Sequence, residues 1–197
     1  MNENNDSYYA IFENKKNGKK LTYYPCPKNA NTSAKLFFAK HAGIEDKFIF
    51  LSDKIPQYKQ SRSLFRKEKK INIVSFLPSK QKFKKVFADE KCCLVRDPIK
   101  RFISAYNNRI LYHKDKQFNN HSVDMIIEKL ENNLFENKHF LPQTYFLGND
   151  LKYFTIVANT KNISGFERKV NYFFEKKIKF PKIQTGGGKF NLKLSIS

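Results

Sequence analysis

Lys28, Thr32 and Ser33, in the segment running from Tyr23 to Ser33, are side chains suited to holding an anion; so are Arg96, Arg101 and Ser104, in the segment from Cys92 to Ser104. Each set follows a short apolar run and a tight polar turn, and each turn leads into a sequence that opens a helix. The first amides of a helix have no intrahelical partner and lie at the positive end of its dipole, so an oxyanion placed there meets several donors at once. Cations and hydroxyls supplied twice in this way predict a ligand with two separated anionic groups.

The elements that must position these residues are legible from periodicity. A strand is expected over 21–24, ended by Pro25 and Pro27, neither of which can continue a central strand. A helix over 32–41 then carries Ala34, Phe37, Phe38 and His41 on one face, with Gly43 closing it. Residues 92–95 are nearly all apolar, the pattern of a strand buried on both faces. Asp97 can cap the next helix, with Pro98 in its first turn. In that helix Ile99, Phe102, Ile103, Tyr106 and Ile110 form the expected core stripe, and Arg101, Ser104 and Asn108 lie on another face. Further strands are expected over 48–51, 71–77 and 153–157. A helix over 122–135 carries Val123, Ile126, Ile127, Leu130 and Leu134. Another is opened by a capping box of Ser164 and Glu167 and lined by Phe166, Val170, Phe173 and Phe174. Strands alternating with helices predict a single α/β domain over 1–197, with a central, mainly parallel sheet covered on both faces. Residues 1–20 are expected to be a ragged lead-in, and 181–197, with Gly186, Gly187, Gly188 and Lys189, a flexible basic tail.

The chain has 197 residues, is 40% hydrophobic and carries a formal net charge of +20, so it has enough apolar residues for a core and attracts polyanions. Most of the lysines fall in scattered runs that suit solvated faces. The three cysteines cannot complete a set of disulfides, and the neighbours Cys92 and Cys93 must face opposite sides of their strand. The N-terminus has no apolar run of signal-peptide type, and no segment approaches the roughly 20 apolar residues of a membrane span. A reducing, cytoplasmic location and no integral membrane segment are therefore expected.

Three phosphate chemistries can be compared with the first turn. A nucleoside triphosphatase P-loop needs two glycines and then Lys-Ser or Lys-Thr, and residues 25–33 contain no glycine. A cysteine phosphatase would need an arginine where Thr32 stands, which leaves Cys26 a passive loop residue. The third comparison fits: residues 27–33, Pro-Lys-Asn-Ala-Asn-Thr-Ser, resemble the 5′-phosphosulfate loop of sulfotransferases that use 3′-phosphoadenosine 5′-phosphosulfate (PAPS). Residues 95–106, with Arg96-Asp97-Pro98, Arg101 and Ser104-Ala105-Tyr106, resemble the 3′-phosphate motif of the same family. His139-Phe140-Leu141-Pro142-Gln143 is similar to a segment of its carbohydrate branch, the chondroitin and HNK-1 type enzymes of sulfotransferase family 2.

The resemblance implies a P-loop-like three-layer fold, PAPS as co-substrate without a metal, and a hydroxyl acceptor on a carbohydrate, an acidic glycan being one candidate. It implies that Lys28 neutralises the leaving group, and that Asn29, Asn31, Thr32 and Ser33 with the helix N-terminus hold the 5′-phosphate. Arg96 and Ser104 would hold the 3′-phosphate, and Lys189 could close over the nucleotide. Among the histidines, His41 suits a core position and His113 and His121 a solvent-exposed connection. His139 is the candidate base, with Asp or Glu from 45–53 in reserve. Two other readings fit less of the chain. An ATP-dependent kinase lacks its glycines, and a non-catalytic binder of nucleic acid or acidic glycan lacks a recognition motif; nucleic acid is not an expected partner.

Overall fold

The computed structural model describes residues 7–45, 72–76, 85–118, 120–132 and 137–183. Five strands form one sheet in the order β3-β1-β2-β4-β5. They are β1 Ser7–Glu13, β2 Lys20–Tyr24, β3 Asn72–Phe76, β4 Glu90–Val95 and β5 Ile156–Asn159. β1 runs antiparallel to both β2 and β3, while β2, β4 and β5 pair in parallel. Every strand but β1 therefore points the same way, and the expected mainly parallel α/β sheet is present.

The expectation for residues 1–20 is corrected here: Ser7–Glu13 is an internal strand, paired on both edges. Its Tyr9 and Ala10 are fully buried on opposite faces, which a ragged lead-in would not allow.

Five α-helices are described: α1 Asn31–Ala42, α2 Pro98–Tyr106, α3 Val123–Glu131, the single turn α4 Thr144–Leu147, and α5 Ser164–Phe174. On one face of the sheet, Phe37 and Phe38 of α1 and Phe166, Val170 and Phe174 of α5 pack on Phe12, Leu21, Tyr23, Cys92 and Leu94. On the other face, Leu141, Phe146, Leu147 and Phe154 cover Tyr9, Tyr24 and Cys93. Cys92 and Cys93 thus serve opposite layers, and all three cysteines are buried and free. A third cluster, Ala105, Tyr106, Ile110, Phe118, Ile126 and Phe140, ties α2 and α3 together.

Local chemistry explains the boundaries. Gly43 ends α1 at φ 66°, and Asp97 caps α2 by accepting the Lys100 amide at 2.9 Å with Pro98 opening the helix. Three expectations change. Ile99 is 54% exposed rather than core, and Ile127 also faces solvent. β5 begins at Ile156, because Leu151–Tyr153 forms a 3₁₀ turn. The Ser164–Glu167 capping box does not form: Ile163 is the cap, and Glu167 accepts the Phe180 amide at 2.7 Å instead. The expected strand over 48–51, Leu134, and the Gly186 to Lys189 segment lie outside the described residues, as do 46–53 of the reserve acids.

Candidate active site

β2, β4 and β5 are neighbours and parallel, with Tyr24 opposite Cys93 and Val95 opposite Asn159, so their carboxyl ends open on one edge. That edge is where open α/β sheets bind ligands.

After β2 the chain turns through Lys28 and Ala30, both in the left-handed region at φ 69° and 52°. A side chain there costs on the order of 1 kcal/mol, so the surroundings must hold the turn. Asn29 does so from inside: it is fully buried, and its amide donates at 2.7 Å both to the Leu94 carbonyl and to Gln143 Oε1. Asn29 therefore braces the loop through Nδ2, while its buried Oδ1 makes no hydrogen bond within the protein. Ala30 caps α1 without a side-chain bond, and the opening amides of the helix follow at Asn31, Thr32 and Ser33.

After β4, Arg96 reaches back to the first turn, its Nη1 donating to the Lys28 carbonyl at 2.9 Å. Gln143 joins the two turns. Its Oε1 accepts the Arg96 amide at 3.1 Å together with the Asn29 side chain, and its Nε2 donates to the Arg96 carbonyl at 2.7 Å. Arg101, read from the sequence as an anion holder, is buried; its Nε donates to the Pro27 carbonyl at 2.9 Å and its Nη1 to the Leu141 carbonyl at 2.8 Å. It clamps the first turn to the 137–143 segment.

Cations crowd this edge. Burial, then the charges of Arg96, Arg109 and Arg101, pull the Lys28 ammonium down to about 7 from an ordinary 10.5. Burial and Arg101 also lower Arg96, with Asp97 opposing them. Arg109 was not singled out by the sequence. It lies in a π-helical stretch, Asn107–Tyr112, that continues α2, and it holds Asp115 in a two-pronged pair at 2.6 and 2.7 Å. Two carboxylates, Asp97 and Asp115, among Lys28, Arg96, Arg101 and Arg109 leave positive charge that a bound anion would neutralise. Cys26 beside them is buried, its thiol pushed up to about 11 chiefly by desolvation, so it is no nucleophile.

The remaining expected residues divide. Thr32 in the first turn of α1 and Ser104 within α2 are half-buried, and Asn31 Oδ1 accepts the Tyr23 hydroxyl at 3.3 Å. Ser33 is buried, and its hydroxyl accepts the Ile183 amide at 3.2 Å and donates to the Ile183 carbonyl at 3.4 Å. It ties the segment after α5 to α1. Lys189 lies outside the described residues. His41 is in the core, stacked on Phe174 and edge-on to Phe37. His121 is edge-on to Phe118, and its carbonyl accepts the Tyr106 hydroxyl at 3.1 Å. His139 contacts Asn137, which in turn reaches Asp115. His113 lies at the surface but near the cations: desolvation, then Arg109, outweigh Asp115 and lower its pKa, and Lys28 adds to the effect. Asp115, Asn137 and Gln143 carry roles that only their partners across the fold could disclose.

An α/β sheet whose two neighbouring strand-to-helix turns share a set of cations defines a binder of a ligand with more than one anionic group. The sulfotransferase family model matches residues 14–182, and the chain belongs to that family. Its general reaction is therefore transfer of a sulfuryl group. No curated protein and no solved structure gives a significant match. Among the described residues, no helix is long and apolar enough to cross a membrane, and no group of three or more His, Cys, Asp or Glu could hold a metal.

Proposed function

We propose that the protein transfers the sulfuryl group of PAPS to a hydroxyl of a carbohydrate and releases adenosine 3′,5′-bisphosphate. The observation that carries this reading is the Lys28 ammonium, lowered to about 7 among Arg96, Arg109 and Arg101 at the open edge of the sheet. A lysine so placed gains by receiving an anion and least resists one whose charge grows during the reaction.

In the proposed step the acceptor oxygen forms a bond to sulfur as the bond from sulfur to the 5′-phosphate oxygen breaks. The acceptor proton passes to His139, and the electron pair of the broken bond stays on the 5′-phosphate, next to Lys28. Such loose in-line transfers require alignment and charge neutralisation rather than a covalent intermediate. Thr32 and the first amides of α1 are assigned to the 5′-phosphate, and Arg96 and Ser104 to the 3′-phosphate. Arg101, Asn29 and Gln143 keep the two turns in register. His113 is a second candidate for the base, because the charge of Lys28 reaches it; comparing His139→Gln with His113→Gln separates the two. The carbohydrate acceptor is supported by the His139 to Gln143 motif, and an acidic glycan suits the net charge of +20. Three free buried cysteines accord with the cytoplasmic location we propose.

The test is calorimetric titration with adenosine 3′,5′-bisphosphate against AMP. Binding that requires the 3′-phosphate and is lost in Arg96→Ala supports the assignment; equal binding of the two nucleotides refutes it.

A further inference from the structure

We propose that Asn137, backed by Asp115, is a positioning residue that holds His139 in the tautomer protonated on Nδ1, so that the basic lone pair lies on Nε2. The inference rests on the reading of His139 as the base.

Asn137 Oδ1 accepts the backbone amide of His139 at 3.0 Å and lies 2.6 Å from His139 Nδ1. Turning the Asn137 amide over would set its NH₂ group against that backbone N–H, donor against donor, so the atom facing His139 is the oxygen. An amide oxygen only accepts, and Nδ1 must therefore carry the hydrogen. The other end of the same amide fixes the orientation independently: Asn137 Nδ2 lies 3.4 Å from Asp115 Oδ2, and a carboxylate accepts only. Asp115 is in turn immobilised by the two-pronged pair with Arg109 at 2.6 and 2.7 Å. The proton on one imidazole nitrogen is thus set by the bond the other side of the network makes, as in other histidine sites.

The placement suits a base. Leu141, two residues beyond His139, gives its carbonyl to Arg101, whose Nε holds the carbonyl of Pro27, the residue before Lys28. The same Arg109 that anchors Asp115 is among the charges that act on Lys28. One guanidinium therefore connects the leaving-group cation with the orientation of the imidazole.

The experiment is long-range ¹H–¹⁵N spectroscopy of the full chain with ¹⁵N-labelled histidine and adenosine 3′,5′-bisphosphate at pH 8, the His139→Gln spectrum identifying the signals. The expected result is a protonated Nδ1 and an unprotonated Nε2 in the wild type. Asn137→Ala should move the proton to Nε2. A wild-type His139 protonated on Nε2 overturns the proposal, as does an Asn137→Ala tautomer that does not change; if Asn137→Ala does not fold, the wild-type spectrum decides. Turnover of PAPS with desulfated chondroitin then tests the underlying reading. Removing a general base should cost about 100-fold or more in kcat. An active His139→Gln with the expected wild-type tautomer refutes the base and leaves the spectrum standing, whereas an inactive His139→Gln with the wrong tautomer refutes only Asn137.

Discussion

Binding of adenosine 3′,5′-bisphosphate at pH 8 should take up close to one proton, and Lys28 is where it goes. In the free protein burial and the charges of Arg96, Arg109 and Arg101 hold the Lys28 pKa near 7, so at pH 8 only about one molecule in ten carries the ammonium. A phosphate in direct contact favours the charged form by roughly 2–3 pH units, which lifts the pKa to about 9 or 10 and protonates the group almost completely. The uptake is then about 0.9 proton at pH 8 and about 0.5 at pH 7. Near pH 6 it falls toward zero or reverses, because the phosphate, with its second pKa near 6, begins to release protons. The same linkage sets the direction of the affinity: binding weakens as pH rises above 7, approaching about tenfold per pH unit. Titration calorimetry in several buffers of different ionisation enthalpy reads the proton count directly. Lys28→Arg keeps the charge at every pH and should bring the uptake near zero. An uptake below about 0.2 proton at pH 8, or one that persists in Lys28→Arg, would refute the reasoning.

Gln143→Ala removes the bonds to Asn29 and to both the amide and the carbonyl of Arg96. It should cost about 2–3 kcal/mol, lower Tm by roughly 5–10 °C and weaken nucleotide binding about tenfold or more, as thermal scans and calorimetry would show. Arg101→Met and Arg96→Met should separate support from contact. The first deprives the Pro27 and Leu141 carbonyls of their buried donor and should lose about 2–4 kcal/mol of stability, measured by urea unfolding. The second should lose nucleotide affinity with a much smaller change in unfolding. His41 has a pKa lowered to about 4, by burial first and then Lys176. The unfolded chain takes the proton near pH 6.5 and the folded chain only near 4, so stability should fall by about 3 kcal/mol as pH drops between those values. His41→Phe should flatten that fall in denaturant titrations across pH, and an unchanged profile would count against it.

The elements legible in the sequence are those whose signals are local. β2, α1, β4 and α2 are marked by Pro25 and Pro27, Gly43, the apolar run into Val95, and the Asp97-Pro98 cap, all within a few residues of the boundaries they set. β1 escapes sequence reading because its evidence is distant: seven residues between polar flanks become an internal strand only when β3, far along the chain, supplies the second edge. Ser164 and Glu167 have the spacing of a capping box, but the Phe180 amide offers Glu167 a bond that no local pattern contains. Arg109 escaped notice for a geometric reason. The stretch after α2 is wound with an i→i+5 bond, from the His113 amide to the Asn108 carbonyl at 3.0 Å, so a face counted at 3.6 residues per turn is wrong there.

The candidate site shows the same division between charges and the groups that organise them. Lys28 and Arg96 could be picked out because a cation after an apolar strand needs a reason, and their meeting follows once β2 and β4 are parallel neighbours. Asn29 and Gln143 stand out in the sequence only as members of motifs and Asn137 not at all, yet each serves a partner that the fold brings to it. Net charge alone does not hold a turn through two left-handed residues; directional bonds do, from the Asn29 amide to Leu94 and Gln143 and from the Arg101 guanidinium to the Pro27 carbonyl. Lys28 and its neighbouring guanidinium groups thus supply the attraction for an anion, and the bonds of Asn29, Gln143 and Arg101 keep that attraction aimed.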